Sequence, residues 1–266
     1  MKRGSEFDRF LQKKDKGMAG HSIIFSGMTH QGFVRDRNED SYVMDAPEEE
    51  WPLLFAVADG LGGHKNGALA SRTAIAYAAP YLRRYLPAAN EPERVKAVLE
   101  DALQKRNIKV YTTSLENPEN TGMGTTLTVM VLYEQSCYLA HIGDSRCYIL
   151  RGRELEQLTV DDTYVSQMVA SGSLDASEVV SHPRRHVLTQ ALGYPEYVEP
   201  QITHVDLLPK DRYLQSSDGL HGVLTQEAIT RAMRQAGSPE EASSSLIEQT
   251  LQAGAPDNVT VIVVFS

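Results

Sequence analysis

Residues 125–158, TTLTVMVLYEQSCYLAHIGDSRCYILRGRELEQL, divide into four apolar runs at 125–133, 136–142, 146–151 and 154–158. The turns between them hold Gln, Gly-Asp-Ser and Gly. Runs this short, rich in Val, Ile, Leu and Tyr, have the signature of strands. Connections of two or three residues are too short for a crossover, so successive strands must pair as antiparallel hairpins. The stretch therefore predicts a β-meander at the centre of the chain.

Working outward, strand-like runs recur upstream at 22–28, 41–45 and 53–58, and downstream at 199–205, 212–217 and in the closing NVTVIVVFS, 258–266. Between the first three and the meander the period changes. Residues 66–86 place Leu69, Thr73, Tyr77, Tyr81 and Tyr85 at helical spacing with Ala between them and Pro80 as a potential kink, and 91–116 repeat the spacing through Val95, Leu99 and Leu103. Two more helices fit 225–252. Strand groups and helix pairs alternate in blocks and not as single βαβ units, which predicts an α+β protein of antiparallel sheets covered by helices. No internal repeat or linker divides residues 21–266, so one domain is expected there.

Composition narrows the function classes. The chain has 266 residues, of which 35 are acidic and 26 are Lys or Arg, a formal charge of −9. No basic face is available by default to neutralise a polyphosphate backbone, which argues against nucleic acid as partner. No segment approaches the roughly 20 uninterrupted apolar residues of a membrane span, and no secretory h-region opens the chain, so a cytoplasmic protein with no membrane contact is expected. Cys137 and Cys147 stand alone on neighbouring apolar runs and read as buried reduced thiols. Residues 1–20 lack apolar periodicity and are dense in charge, which predicts a disordered lead-in outside the fold. Within it GSEF has the form of a cloning-site scar, with Met18 as the native start.

Three acids stand at the ends of core-like strands: Asp59 after LLFAVA, Asp218 after RYLQSS and Asp257 before NVTVIVVF. One acid at a strand end suits an ordinary turn. Three that converge would repel one another unless a cation sat between them, and without His or Cys in these segments that cation would be Mg2+ or Mn2+ and not Zn2+.

These residues carry a resemblance. From about residue 24 to the end the chain is similar to bacterial-type protein phosphatases of the metal-dependent 2C family, through eight blocks in order. They are GFVRDRNEDSYV (32–43), VADGLGGHKNGALAS (57–71), GMGTTLTVMVL (122–132), AHIGDSRCYILR (140–151), LTVDD (158–162), SHPRRHVLTQALG (181–193), SSDGL (216–220) and APDNVTVIVV (255–264). The resemblance implies a four-layer αββα sandwich, two central antiparallel sheets flanked by helix pairs. It implies hydrolysis of phosphoserine or phosphothreonine in proteins by a water activated between two Mn2+ or Mg2+ ions, opposing a Ser/Thr kinase. By the family pattern Asp59 bridges both metals, the Gly60 carbonyl serves one, Asp218 and Asp257 complete the set, and Glu39 and Asp40 act through water. Asp144 with Asp218 would hold a third, weaker metal, and Arg35 would bind the substrate phosphate with its planar fork. The substrate partners would be phosphoproteins, among them a Ser/Thr kinase or its targets, and the enzyme a monomer.

Two departures stand out. Leu61 replaces the His that eukaryotic members carry after Asp-Gly, with His64 three residues on as a candidate proton donor or an ordinary capping residue. In the irregular stretch 161–186, which matches the family's flap, Asp162 stands where members commonly have His, and His186 where they have Asn. The segment is long for a connection and holds Gly172, Ser173 and Pro183, so it is expected to be a mobile flap that sets substrate preference, or else a surface loop with a short helix at 162–170. Asp162, His182, Arg184 and Arg185 are its candidate substrate contacts. Two rival functions, a non-catalytic phosphoprotein binder and a nucleotide phosphodiesterase, would want respectively the loss of the metal acids and a basic groove.

Overall fold

The computed structural model describes residues 8–13, 22–46, 52–61, 66–89, 91–194 and 197–266. Its strands are β1 (Asp8–Lys13), β2 (Ile24–His30), β3 (Ser41–Asp45), β4 (Leu53–Ala58), β5 (Gly60–Leu61), β6 (Gly124–Thr125), β7 (Leu127–Tyr133), β8 (Ser136–Ile142), β9 (Arg146–Arg151), β10 (Glu154–Gln157), β11 (Gln201–Asp206), β12 (Arg212–Ser216) and β13 (Val259–Phe265). The helices are α1 (Gly67–Tyr85), α2 (Pro92–Glu116), α3 (Tyr164–Ala170), α4 (Asp218–His221), α5 (Gln226–Gln235) and α6 (Pro239–Gln252).

Two of the three hairpins expected in the meander form, β7 with β8 and β9 with β10, but β8 and β9 do not pair, because the meander is shared between two sheets. One runs β1-β2-β13-β12-β9-β10, the other β11-β8-β7-β4-β3, and every pairing within them is antiparallel. β7 and β8 pair in one sheet, and the Gly-Asp-Ser turn after β8 carries the chain across to β9 in the other. The sheets pack face to face around Phe25, Phe55, Val57, Leu139, Ile149, Tyr213 and Ile262, with Phe25 and Phe55 meeting edge to face at 5.1 Å. Cys137 and Cys147 lie in this core as buried free thiols. α1 and α2 cover the second sheet and α5 and α6 the first, which gives the four layers.

α1 shows how propensity and packing divide a helix. It buries Ala70, Ala74, Ala78 and Leu82, while Tyr77 and Tyr85 of the tyrosine stripe remain exposed. Small alanines let the helix sit close on the sheet. The tyrosines take the rim, where the rings of Tyr77 and Tyr81 lie 5.7 and 5.5 Å from the Arg106 guanidinium of α2.

The N-terminal segment corrects one expectation. Asp8–Lys13 is a strand paired along β2, Asp8 opposite Thr29 and Lys13 opposite Ile24. Edge pairing needs only free backbone N–H and C=O groups, so a segment without apolar period can join a sheet. GSEF and Met18 lie outside the described residues.

Antiparallel order decides where the acids go. β4 and β12 end, and β3, β9 and β13 begin, at the same end of the sandwich. Asp59, Asp218 and Asp257, together with Glu39, Asp40 and Asp144, are thereby gathered from both sheets to one edge.

Candidate active site

The backbone of Asp59 is clamped before its side chain does anything. Its N–H donates to Thr126 Oγ1 at 2.9 Å, and its carbonyl accepts from Thr126 N at 2.9 Å and from Thr125 Oγ1 at 2.8 Å. Thr126 is itself held by Ser145 across the sandwich at 2.8 Å, next to Asp144. The Gly-Thr-Thr block thus positions two of the acids at once. Gly60 then passes under the N-terminus of α1: a Cβ there would lie 2.3 Å from the carbonyl oxygen of Gly67 and 2.7 Å from that of Glu39. Only glycine fits, and Gly60 lines the cavity.

Asn258 secures the loop bearing Arg35 and Glu39. Its amide donates to the carbonyls of Gln31 (2.7 Å) and Arg37 (2.8 Å), and its Oδ1 accepts from Glu39 N at 2.8 Å. Asp40 is gripped from behind, where Oδ2 accepts from Ser217 and Thr260, both at 2.7 Å. Its other oxygen is buried without a hydrogen-bond partner.

Arg35, Glu39, Asp59, Gly60, Asp144, Asp218 and Asp257 line a single cavity of about 400 Å3. Mutual repulsion in a poorly hydrated place shows in the acids. Burial, then Asp40, Asp218, Asp144 and Asp257, pushes Asp59 well above the carboxylate range. Burial and then Asp218 raise Asp144 to about 8. Burial is also the first cause for Asp40, raised to about 7, and for Asp218, on which Asp257 acts next. The counter-charge present is Arg35, whose Nη2 meets Asp257 Oδ2 at 2.7 Å, a contact that raises the arginine.

These residues fit hard divalent cations. The donors are oxygens, like charges face one another, and Asp40 Oδ1 lacks a partner. Among the described residues no three acidic or imidazole side chains are already drawn into a ligand cage, and Asp257 is turned onto Arg35.

The flap is less irregular than its sequence. Thr163 caps α3 by accepting from Ser166 N, a 3-10 helix spans Ala176–Ser181, and Thr163 and Leu188 close the segment as a β-bridge. The short helix expected at 162–170 is present as Tyr164–Ala170. Asp162 points inward: Oδ2 accepts from Gly143 N at 2.9 Å, beside Asp144, and Oδ1 from Gln190 at 3.3 Å. Arg184 stacks on Tyr164 at 4.2 Å, and the His182 ring lies 6.2 Å from that of Tyr164. Among the described residues His182, Arg184 and Arg185 do not line the cavity, whereas His186 and Leu188 do. Asn258, Ser217 and His186 are the site residues the sequence reading left unassigned. All three stand inside the quoted blocks; the first two are next to an acid, where their amide and hydroxyl are the local signal, and the signal at His186 is its departure from the Asn of the family pattern. His64 lies outside the described residues.

The sequence profile of the family described as Protein phosphatase 2C matches residues 34–256. The chain belongs to the protein phosphatase 2C family. It is 39% identical over 243 residues to the serine/threonine protein phosphatase PstP of Mycobacterium tuberculosis, covering 91% of this chain and 44% of PstP. This chain therefore spans less than half the length of that relative. Among solved structures it resembles serine/threonine phosphatase Stp1 from Staphylococcus aureus, with a TM-score of 0.83, 30% identity and coverage of 94% of this chain and 98% of the other. The catalytic domain of PstP in complex with two manganese ions gives a TM-score of 0.78 at 36% identity, over 91% of this chain and 97% of that one. No helix of the described residues is long and apolar enough to cross a membrane.

Proposed function

We propose that this chain is a metal-dependent protein phosphatase that hydrolyses phosphoserine and phosphothreonine. The observation that carries the reading is the set of four strand-end acids, Asp59, Asp144, Asp218 and Asp257, facing Arg35 across one cavity. Asp59, the Gly60 carbonyl, Asp218 and Asp257 would hold two Mn2+ or Mg2+ ions, with Glu39 and Asp40 ordering water around them and Asp144 with Asp218 holding a third. Such ions lower the pKa of bound water toward neutrality and neutralise charge on a phosphate.

The protein's own part is positioning. Arg35 turns from Asp257 to the substrate, its fork matching two phosphate oxygens. Asn258 holds the Arg35 loop in place, and the clamp on Asp59 fixes the floor from which water attacks in line. No nucleophilic side chain is needed, and both cysteines are buried, with burial raising their thiols. We further propose that the enzyme acts as a cytoplasmic monomer on phosphoproteins in bacterial signalling, a Ser/Thr kinase or its targets among them.

Incubation of the protein with a phosphothreonine peptide and with a cyclic dinucleotide, each with Mn2+ and with EDTA, tests the reading. Phosphate release from the peptide with Mn2+ alone is expected. Hydrolysis of the dinucleotide in preference would point to a phosphodiesterase, and tight peptide binding without turnover to a non-catalytic binder.

A further inference from the structure

Hydrolysis of a phosphoserine expels a strongly basic alkoxide, so the rate depends on what gives that oxygen a proton. At the position after Asp-Gly this chain has Leu61, which has none to give. His221, on α4, is lowered well below the usual imidazole range, mainly by burial, and does not line the cavity. Its Nδ1 faces Ser216 Oγ at 3.4 Å.

One imidazole among the described residues lines the cavity itself, that of His186. It stands on the limb of the flap that returns to the core. Its neighbours are fixed: Val187 N donates to Arg184 O at 3.2 Å, Tyr164 N to Val187 O at 2.8 Å, and Leu188 bridges Thr163. The residue lines the same cavity as Asp144 and Asp218 and is exposed, open to proton exchange with solvent. The acids form the floor and His186 the wall. In-line attack by a water held at the acids sends the leaving oxygen away from them, so its proton must come from another part of the lining, and His186 is the imidazole found there.

We propose that His186 is the catalytic acid that protonates the leaving seryl or threonyl oxygen, an inference that rests on the phosphatase reading. As the water oxygen bonds to phosphorus, the bond from phosphorus to the seryl oxygen breaks with its electron pair on that oxygen. The imidazolium N–H of His186 passes its proton there and frees the hydroxyl. The attacking water releases its proton to solvent, and the neutral imidazole takes one back from solvent.

The test is leaving-group dependence with Mn2+, measured on the unsubstituted protein and on the His186→Asn, His186→Gln and His64→Asn variants. Substrates are a phosphoserine peptide and a series of aryl phosphates of falling phenol pKa. Both His186 variants should lose about a hundredfold in kcat on the peptide, the lower range for general-acid catalysis. The loss should shrink steadily as the phenol becomes more acidic, so that log kcat falls more steeply with leaving-group pKa than in the unsubstituted protein. An equal loss on every substrate, an unchanged slope, or steepening in His64→Asn alone overturns the assignment and leaves the phosphatase reading intact. No Mn2+-dependent hydrolysis by the unsubstituted protein overturns both.

Discussion

The floor of the cavity and its flap wall are held by different means. Asp59, Asp218 and Asp257 adjoin β4, β12 and β13, strands bonded on both sides, and β4 and β13 are buried throughout. The wall between Thr163 and Leu188 has one seven-residue helix and one 3-10 helix, and much of its surface is exposed, Val180 to 79%. Its stacking contacts, Arg184 and His182 on Tyr164, stay within the segment. Like charges can be kept together only where moving apart would break strand pairing and uncover core. A segment held mainly by contacts within itself can rearrange without uncovering the core.

The sharpest way to break this contrast is at the floor. Asp218→Asn keeps the shape of the side chain and removes a charged donor, so kcat should fall at least about a hundredfold, equivalent to ~3 kcal/mol of lost transition-state stabilisation. Asp59→Asn and Asp257→Asn should behave alike. Full Mn2+-dependent turnover in Asp218→Asn would mean that the strand-end acids do not hold the reacting metals.

The floor should also be a source of instability when no cation is present. Asp40 and Asp144 are raised to about 7 and about 8, and Asp59 and Asp218 are raised too. Between the unfolded carboxylate pKa near 4 and these values the native state binds more protons than the unfolded one, so stability of the metal-free protein falls as pH rises from about 4 to about 8. Buried His141, lowered to about 4, works in the opposite sense below about 6.5. The quantity to read is therefore the rise in Tm on adding Mn2+, in which the His141 contribution cancels. It should grow with pH, corresponding to about 2.7 kcal/mol at a hundredfold excess over Kd. A rise that is flat across this range would separate the metal from these acids.

Floor and wall were also unequally legible. LLFAVA, RYLQSS and NVTVIVVF announce buried strands, and an acid at the end of each is visible because burial and charge conflict there. The core strands could be bounded to within two or three residues for the same reason, that apolar alternation is enforced by packing on both faces. The tyrosine stripe of α1 marked the helix but not its buried face, because tyrosine is apolar along its ring and wet at its tip, and alanines took that face. β1 left no periodic trace, because an edge strand is recruited through its backbone. In the flap the short-range order comes from a Thr cap and an Asp capping box, signals too brief to outweigh the glycine and proline around them. Asp162 and His186 acquire their places only through partners distant in sequence.

Arg35 lies between the two regions, half-exposed yet paired to the floor at Asp257. A phosphate dianion is bound in ground and transition states alike, so Arg35→Ala should raise KM for a phosphopeptide by about tenfold, with a smaller fall in kcat. Arg35→Lys should recover part of this, having charge without the fork. An unchanged KM in Arg35→Ala would make the arginine no more than a partner for Asp257.

The smallest effects should come from the tip of the flap, outside the cavity that His186 lines, and they distinguish that tip from the root. His182→Ala and Arg184→Ala remove side chains that pack on Tyr164 outside the cavity. Each should shift the ranking of phosphopeptides a few-fold while moving the kcat/KM of an aryl phosphate by less than about twofold, since neither side chain lines the cavity that would take the small substrate. Asp162→Ala belongs with them in sequence but not in structure, because its carboxylate holds Gly143 N beside Asp144. It leaves a buried amide unpaired, at about 1–3 kcal/mol of stability, and loosens the Asp144 turn. It should therefore lower both substrates together and weaken the Mn2+ response. The measurement is the ratio of phosphopeptide to aryl phosphate kcat/KM in the three variants. If Asp162→Ala changes that ratio as His182→Ala does, the flap is one unit from root to tip. If all three leave it unchanged, substrate choice resides elsewhere on the rim.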